Sequence, residues 1–147
     1  MQKISYNFIK IGCWNIHGAY YKVNGFSINK LEDPSFLDTL REHDILCLQE
    51  THCGTNDLLN SHIQAFHGIP HCRKISGNNR FFGGMLLLVR KTIRKGIKVI
   101  SSDNHDILGI RLLRNFFGIP EDLTVGLFMH LLWEPPTSLT EMTSLTA

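Results

Sequence analysis

From Arg73 to Lys98 the chain carries Arg73, Lys74, Arg80, Arg90, Lys91, Arg94, Lys95 and Lys98, with no Asp or Glu between them. Cations gathered in this way attract a phosphate backbone through counterion release. The competing reading is a solvated, Lys/Arg-edged strand and turn that resists edge pairing. Two His-Cys pairs, His52-Cys53 and His71-Cys72, offer zinc-ligand residue types. Adjacent strand residues point to opposite faces, so each pair would struggle to ligate one ion, and no CxxC spacing backs them. Taken alone, Asn15 before a Gly-containing turn reads as a turn former, and Glu50 at the end of an apolar run as a solvated carboxylate.

The elements that must hold these residues are short and of both kinds. Phe8–Ile16 (FIKIGCWNI) alternates as a strand does, and His17-Gly18 ends it. Tyr20–Asn29, polar and aromatic with one Gly, predicts a loop. Asp33-Pro34 supplies an N-cap side chain followed by proline at the first helical position. Phe36, Leu37 and Leu40 then share one face of a helix that ends near His43. Asp44–Gln49 (DILCLQ) predicts a buried strand directly afterwards, and strand–helix–strand punctuation argues for a mixed α and β architecture.

From Thr51 to Asn79 the pattern is weak. Gly83-Gly84 opens the apolar run Met85–Val89, which Arg90-Lys91 closes. A strand over Ile97–Ile100 is expected to pair with that run through a turn at Arg94–Gly96. Ile107–Leu113 and Leu123–Leu132 predict two further strands, and the Thr/Ser-rich stretch Thr137–Ala147 predicts a loose tail.

Composition bounds these readings. A chain of 147 residues with 43% hydrophobic content supports one domain and not two. Charged residues make up 19% without long runs, which argues against disorder throughout. The net charge of +2 is too small to argue for nucleic acid by itself. Cys13 and Cys47 lie inside apolar runs and are expected to behave as small buried hydrophobes. No run approaches the roughly 20 apolar residues of a membrane span, so no membrane partner is expected. No secretory leader is recognised and cysteine spacing is irregular, which together favour an intracellular compartment, nuclear or cytoplasmic.

Three motifs carry a resemblance when taken in order. Cys13-Trp14-Asn15-Ile16-His17-Gly18 resembles a WNxxG signature, and Asp44–Thr51 (DILCLQET) is similar to D-I-x-x-L-Q-E-T. Gly83-Gly84 before an apolar strand resembles the third landmark. Their order and separations resemble the endonuclease/exonuclease/phosphatase superfamily, whose fold is shared with pancreatic deoxyribonuclease. The flavour is closest to the endonuclease domains of non-LTR (LINE-type, reverse-transcriptase-associated) retrotransposons. The resemblance runs from residue 8 to about residue 136. It implies a partial domain over residues 1–136, with residues 137–147 as the tail. The implied architecture is α/β, the N-terminal half of a two-sheet β-sandwich flanked by helices.

For the complete fold the resemblance implies Mg²⁺-dependent phosphodiester hydrolysis, with DNA as the partner. A hard cation with oxygen ligands stabilises charge on the phosphorus and the leaving oxygen, and Mg²⁺ takes only one or two carboxylates while keeping waters. Glu50 is the implied metal ligand. Asn15 is the neighbouring amide oxygen that orients the metal shell or a phosphate oxygen, and both are carried over as catalytic. Arg80, within the basic stretch, and Trp133 are the substrate-binding candidates. Asp44 is expected to be structural.

Two departures limit the transfer. Where the family places Tyr-x-Pro-Pro, this chain has Trp133-Glu134-Pro135-Pro136, and an indole N–H cannot stand in for a hydroxyl unchanged. The family's later Asp-x-Asn element and closing Asp-His pair have no counterpart after residue 136. Asp103-Asn104-His105-Asp106 comes too early and reads as a turn. General acid–base catalysis contributes about 10²- to 10⁴-fold, so the chain alone is expected to be inactive. The absent half would supply much of one sheet. The inner face of the first sheet is therefore expected to lie uncovered, inviting a completing chain or self-association. The alternatives are a non-catalytic nucleic-acid-binding module and a decayed retroelement remnant.

Overall fold

The computed structural model describes residues 8–53, 63, 65–72, 83–100, 102–104 and 106–129. Arg80, Trp133 and the tail from residue 137 lie outside the described residues. Strand β1 (Ile11–Asn15) pairs in parallel with β4 (Ile45–Gln49), from Ile11 opposite Ile45 to Asn15 opposite Gln49. Between them lie a hairpin and helix α1 (Pro34–Arg41). The Asp33 carboxylate accepts hydrogen bonds from the Ser35 and Phe36 N–H groups at 2.8 and 3.3 Å, and Pro34 follows it, as anticipated for a helix start. Phe36 stacks on Trp14 with ring centroids 4.8 Å apart, which fixes the helix against the strand.

Strand β6 (Met85–Arg90) runs antiparallel to β4, and β5 (Phe66–His71) runs antiparallel to β6. The first sheet therefore has the order β1-β4-β6-β5. Strands β7 (Ile97–Ile100), β8 (Ile107–Leu112) and β9 (Leu123–Phe128) form a second, antiparallel sheet in chain order. Period-two alternation sends Ile45, Cys47, Met85, Leu87 and Val89 toward Ile97, Leu108, Ile110, Leu112 and Leu127 of the second sheet. Leu46, Leu48, Leu86 and Leu88 take the other face, against Leu31, Leu40, Ile16 and Ala19. Two-sided burial explains why β4 and β6 read as unbroken apolar runs. The outcome is the expected α/β sandwich, two facing sheets with α1 outside the first.

Four expectations need correction. The segment Tyr20–Asn29 is not a loop but a hairpin of β2 (Tyr20–Val23) and β3 (Phe26–Asn29). Its Asn24-Gly25 turn is left-handed at both residues (φ 51° and 81°), the geometry whose twist matches paired strands. β7 does not pair with β6. A 3₁₀ segment, Lys91–Gly96, carries the chain across to the second sheet, where β7 pairs with β8. This crossing is tight at Gly96, where an added Cβ would sit 2.3 Å from the Phe116 ring of α2 (Arg114–Phe117).

The third correction concerns the inner face of the first sheet. It is covered, because three strands of the second sheet already lie across β4 and β6, and Cys47, Met85, Leu87 and Val89 are fully buried. Fourth, Cys13 is exposed rather than buried, since β1 is an edge strand of its sheet. Strand β5 also arises inside the stretch whose pattern was weak. Its Pro70 is tolerated because β5 is the opposite edge of the sheet.

Candidate active site at the ends of β1 and β4

The last regular rung of the parallel pair places Asn15 beside Gln49. Beyond it the two chains stay joined but lose regular geometry. The N–H groups of Ile16, Gly18 and Ala19 donate to the carbonyls of Gln49, Glu50 and Thr51 at 3.0, 2.6 and 2.8 Å. His17, Glu50 and His52 all adopt left-handed backbone conformations, with φ of 51°, 54° and 53°. Such non-glycine residues are strained by order 1 kcal/mol or more each and persist only where their surroundings over-determine them.

The surroundings do so from a third segment. Thr51 and His52 donate their N–H groups to the carbonyls of Gly84 and Gly83 at 3.2 and 2.9 Å. A Cβ on Gly84 would come within 2.9 Å of the Thr51 hydroxyl oxygen, and its φ is +81°, so this close approach requires glycine. The Gly-Gly landmark thus acts as a backbone clamp on the Glu50 segment.

These kinks bring three polar side chains together. Asn15 Oδ1 accepts a hydrogen bond from the His17 N–H at 3.0 Å, closing an Asx turn. His17 Nδ1 lies 3.3 Å from Glu50 Oε2. The Glu50 side chain is only 16% exposed, whereas that of His17 is 80% exposed and lies over it. Asn15 and Glu50, expected from sequence, are therefore linked through a residue that sequence reading missed. His17 occupies a variable position of the WNxxG pattern, so no signal marked it. Beside Glu50, Thr51 is fully buried, and its hydroxyl has no hydrogen-bond partner among the described residues.

The second sheet is tied in at this same end. Gln49 Nε2 donates to the Phe128 carbonyl at 2.7 Å, and His71 Nε2 lies 3.1 Å from the Asn104 carbonyl. The segment around Asn104 is a turn, as expected: Asn104 Oδ1 accepts from the Asp106 N–H at 2.9 Å.

The opposite end of the first sheet holds the described part of the basic stretch. Arg90 pairs with Asp44 at 3.4 Å, donates to the carbonyls of Arg41 and His43, and stacks its guanidinium over Phe66. Asp44 also accepts from the Lys10 N–H at 2.9 Å, which is the structural work expected of it. Arg94 donates to the Ile97 carbonyl. The register sets Val89 opposite Ile45 and Met85 opposite Gln49, so Arg90 lies a full strand, roughly 15–18 Å, from Glu50. Arg90, Lys91, Arg94 and Lys95 therefore do not face the Asn15–Glu50 end, and two of these four are engaged in holding the fold.

The sequence profile of the Endonuclease/Exonuclease/phosphatase family matches residues 12–143, which spans all three motifs and both strand ends just described. The chain belongs to the endonuclease/exonuclease/phosphatase family. Comparison with curated proteins returns no match. The family is a nuclease and phosphatase family and is in general metal-dependent. The donors present suit a hard, water-rich cation: one carboxylate from Glu50, and the Asn15 amide oxygen, whose second lone pair remains after the His17 bond. They do not suit zinc. Among the described residues no group of three His, Cys, Asp or Glu side chains is arranged around a common point. Cys53 instead donates to the Thr51 carbonyl inside the apolar cluster beneath α1. No helix among the described residues is long and apolar enough to cross a membrane.

Proposed function

We propose that this family member serves Mg²⁺-dependent phosphodiester hydrolysis on DNA, with Glu50 as the metal ligand and Asn15 as its supporting amide. The observation that carries this reading is the convergence of Asn15, His17 and Glu50 at one strained strand end, held by the Gly83-Gly84 clamp. A bound Mg²⁺ would neutralise charge gathering on a phosphoryl oxygen. Glu50 would hold it, Asn15 would orient its shell, and His17 would yield the Glu50 oxygen it now neighbours. The hairpin beside this end supports an extended nucleic-acid substrate over a small phosphate. One of its faces presents Tyr21, Val23 and Phe26 to solvent, with the Lys30 ammonium 5.8 Å from the Tyr21 ring centroid, a combination suited to stacked bases and a phosphate chain.

A polypeptide of these 147 residues carries neither the Asp-x-Asn nor the closing Asp-His element after residue 136, and we propose that alone it binds metal and DNA without cutting. Arg80 and Trp133 remain candidates for the substrate path. Retrotransposon kinship is proposed on the motif flavour. The test has two arms. Calorimetric titration with Mg²⁺ should show binding that Glu50→Gln weakens by about tenfold or more, since removing a metal ligand's charge costs at least what removing an outer-shell partner does. Supercoiled plasmid incubated with the protein and Mg²⁺ should stay intact. Nicking that EDTA and Glu50→Gln both abolish would overturn the claim of inactivity, and Mg²⁺ binding unaffected by Glu50→Gln would overturn the site.

A further inference from the structure

Cys13 and Cys47 are register partners in the parallel β1–β4 ladder. Register partners project to the same face, here the one between the two sheets, and strands lie about 4.8 Å apart. That spacing falls within the Cα–Cα range of about 4.4–6.8 Å that a disulfide spans. The two thiols differ in access. Cys13 is exposed at the sheet edge, while Cys47 is fully buried in the inter-sheet core. The pair sits two rungs below Asn15 and Gln49, two residues back along each strand or about 7 Å from that rung.

We propose that Cys13 and Cys47 form an oxidant-responsive dithiol, a modification site that takes a hydroperoxide at Cys13 and closes to a Cys13–Cys47 disulfide. In the first step the Cys13 thiolate attacks the peroxide oxygen. An S–O bond forms, the O–O bond breaks, and the leaving alkoxide or hydroxide takes up a proton. Cys13 is oxidised to the sulfenic acid and the peroxide is reduced. In the second step the Cys47 sulfur attacks the Cys13 sulfur. The S–S bond forms, the S–O bond breaks, and the departing hydroxide leaves as water with the Cys47 proton.

The division of roles follows from access. Cys13 is open to solution at the sheet edge, whereas Cys47 is enclosed between the two sheets. The exposed sulfur is thus the nucleophile and the buried one, protected from solution oxidant, resolves it. Closure would cross-link the two strands that deliver Asn15 and Glu50, immediately beneath both.

The test uses the whole chain, reduced and then exposed to equimolar hydrogen peroxide. Thiols titrated after denaturation should fall from four to two, with the mass reduced by two hydrogens, a Cys13–Cys47 peptide found on digestion, and full reversal by dithiothreitol. Cys13→Ser, at an exposed position, should abolish the bridge and leave Cys47 unmodified. A Cys53→Ser/Cys72→Ser variant should still form it. The proposal is overturned if Cys13 stops at sulfinic acid with Cys47 still free, or if the bridge found joins Cys53 to Cys72.

Discussion

Replacing Thr51 by Val should make this protein more stable, although Thr51 lies between Glu50 and the Gly-Gly clamp. The Thr51 hydroxyl is fully buried with no hydrogen-bond partner among the described residues, so folding strips it of water without replacement. An unsatisfied buried hydroxyl costs about 1–3 kcal/mol. Valine keeps the β-branched shape and the volume that fit against Gly84, and it removes only the polar atom. The backbone bonds from Ala19 to Thr51 and from Thr51 to Gly84 are untouched. A gain of about 1–2 kcal/mol is therefore expected, and at roughly 2–4 °C per kcal/mol for a domain near this size the Tm should rise by about 2–8 °C. Urea unfolding followed by Trp14 fluorescence would measure it, with Thr51→Ser as the control. Serine keeps the orphan hydroxyl and loses a buried methyl, so it should destabilise by about 1 kcal/mol. A Thr51→Val protein that is less stable than the parent would refute the reasoning, because the hydroxyl would then have to be bonded in the folded state.

The remaining expectations concern charge, packing and thiol chemistry. Asp44→Ala removes the carboxylate that accepts from Lys10 and pairs with Arg90 at the far end of the sheet, and should cost about 1–2 kcal/mol in urea without changing Mg²⁺ affinity. Gly96→Ala forces a methyl to within 2.3 Å of Phe116 and 2.7 Å of Phe117, and should lower stability by about 1–3 kcal/mol or prevent accumulation of soluble protein. His17→Ala frees the Glu50 carboxylate of an exposed neighbour and should change Mg²⁺ affinity by no more than about fivefold, the limit set by a surface ion pair. Cys13, held at about 7 against an ordinary 9.0, should react with iodoacetamide at a rate that rises with pH and levels off above about pH 7. At pH 7 its thiolate fraction is about 50-fold that of an ordinary thiol, and allowing for weaker intrinsic nucleophilicity the rate gain should be about 5- to 10-fold. A rate still climbing steeply past pH 8.5 would contradict that assignment.

The parts of the fold legible in the sequence are those where one local rule dominated. Asp33-Pro34 wrote the helix start, and the two-sided burial of β4 and β6 wrote apolar runs with clear ends. β5 was hidden because an edge strand containing Gly68 and Pro70 has neither continuous hydrophobicity nor strong strand residues. The hairpin was hidden for a different reason. Its apolar positions, Tyr21, Val23 and Phe26, face solvent rather than a core, so only the Asn24-Gly25 turn distinguished it from a loop. The pairing of β7 failed because proximity in sequence favours the nearest strand, whereas the 3₁₀ segment Lys91–Gly96 moves the chain to another layer. That step rests on a steric fit at Gly96 that no periodicity records. Covering of the first sheet's inner face followed from that same crossing.

The site was legible to the extent that its motifs encode backbone rather than ligands. WNxxG contains the His17 and Gly18 kink, LQET contains the left-handed Glu50, and the Gly-Gly landmark supplies the carbonyls that fix Thr51 and His52. All three signatures therefore converge on one strained junction, and their order along the chain identified it even though no single residue could. What the motifs left blank is the side chain at His17, because the turn constrains its φ and not its identity. Its imidazole nevertheless lies 3.3 Å from the Glu50 carboxylate. Under the proposed function, a cation arriving at Glu50 would share or displace that contact. His17 is thus the residue through which this chain would tune a site whose framework the family pattern already sets.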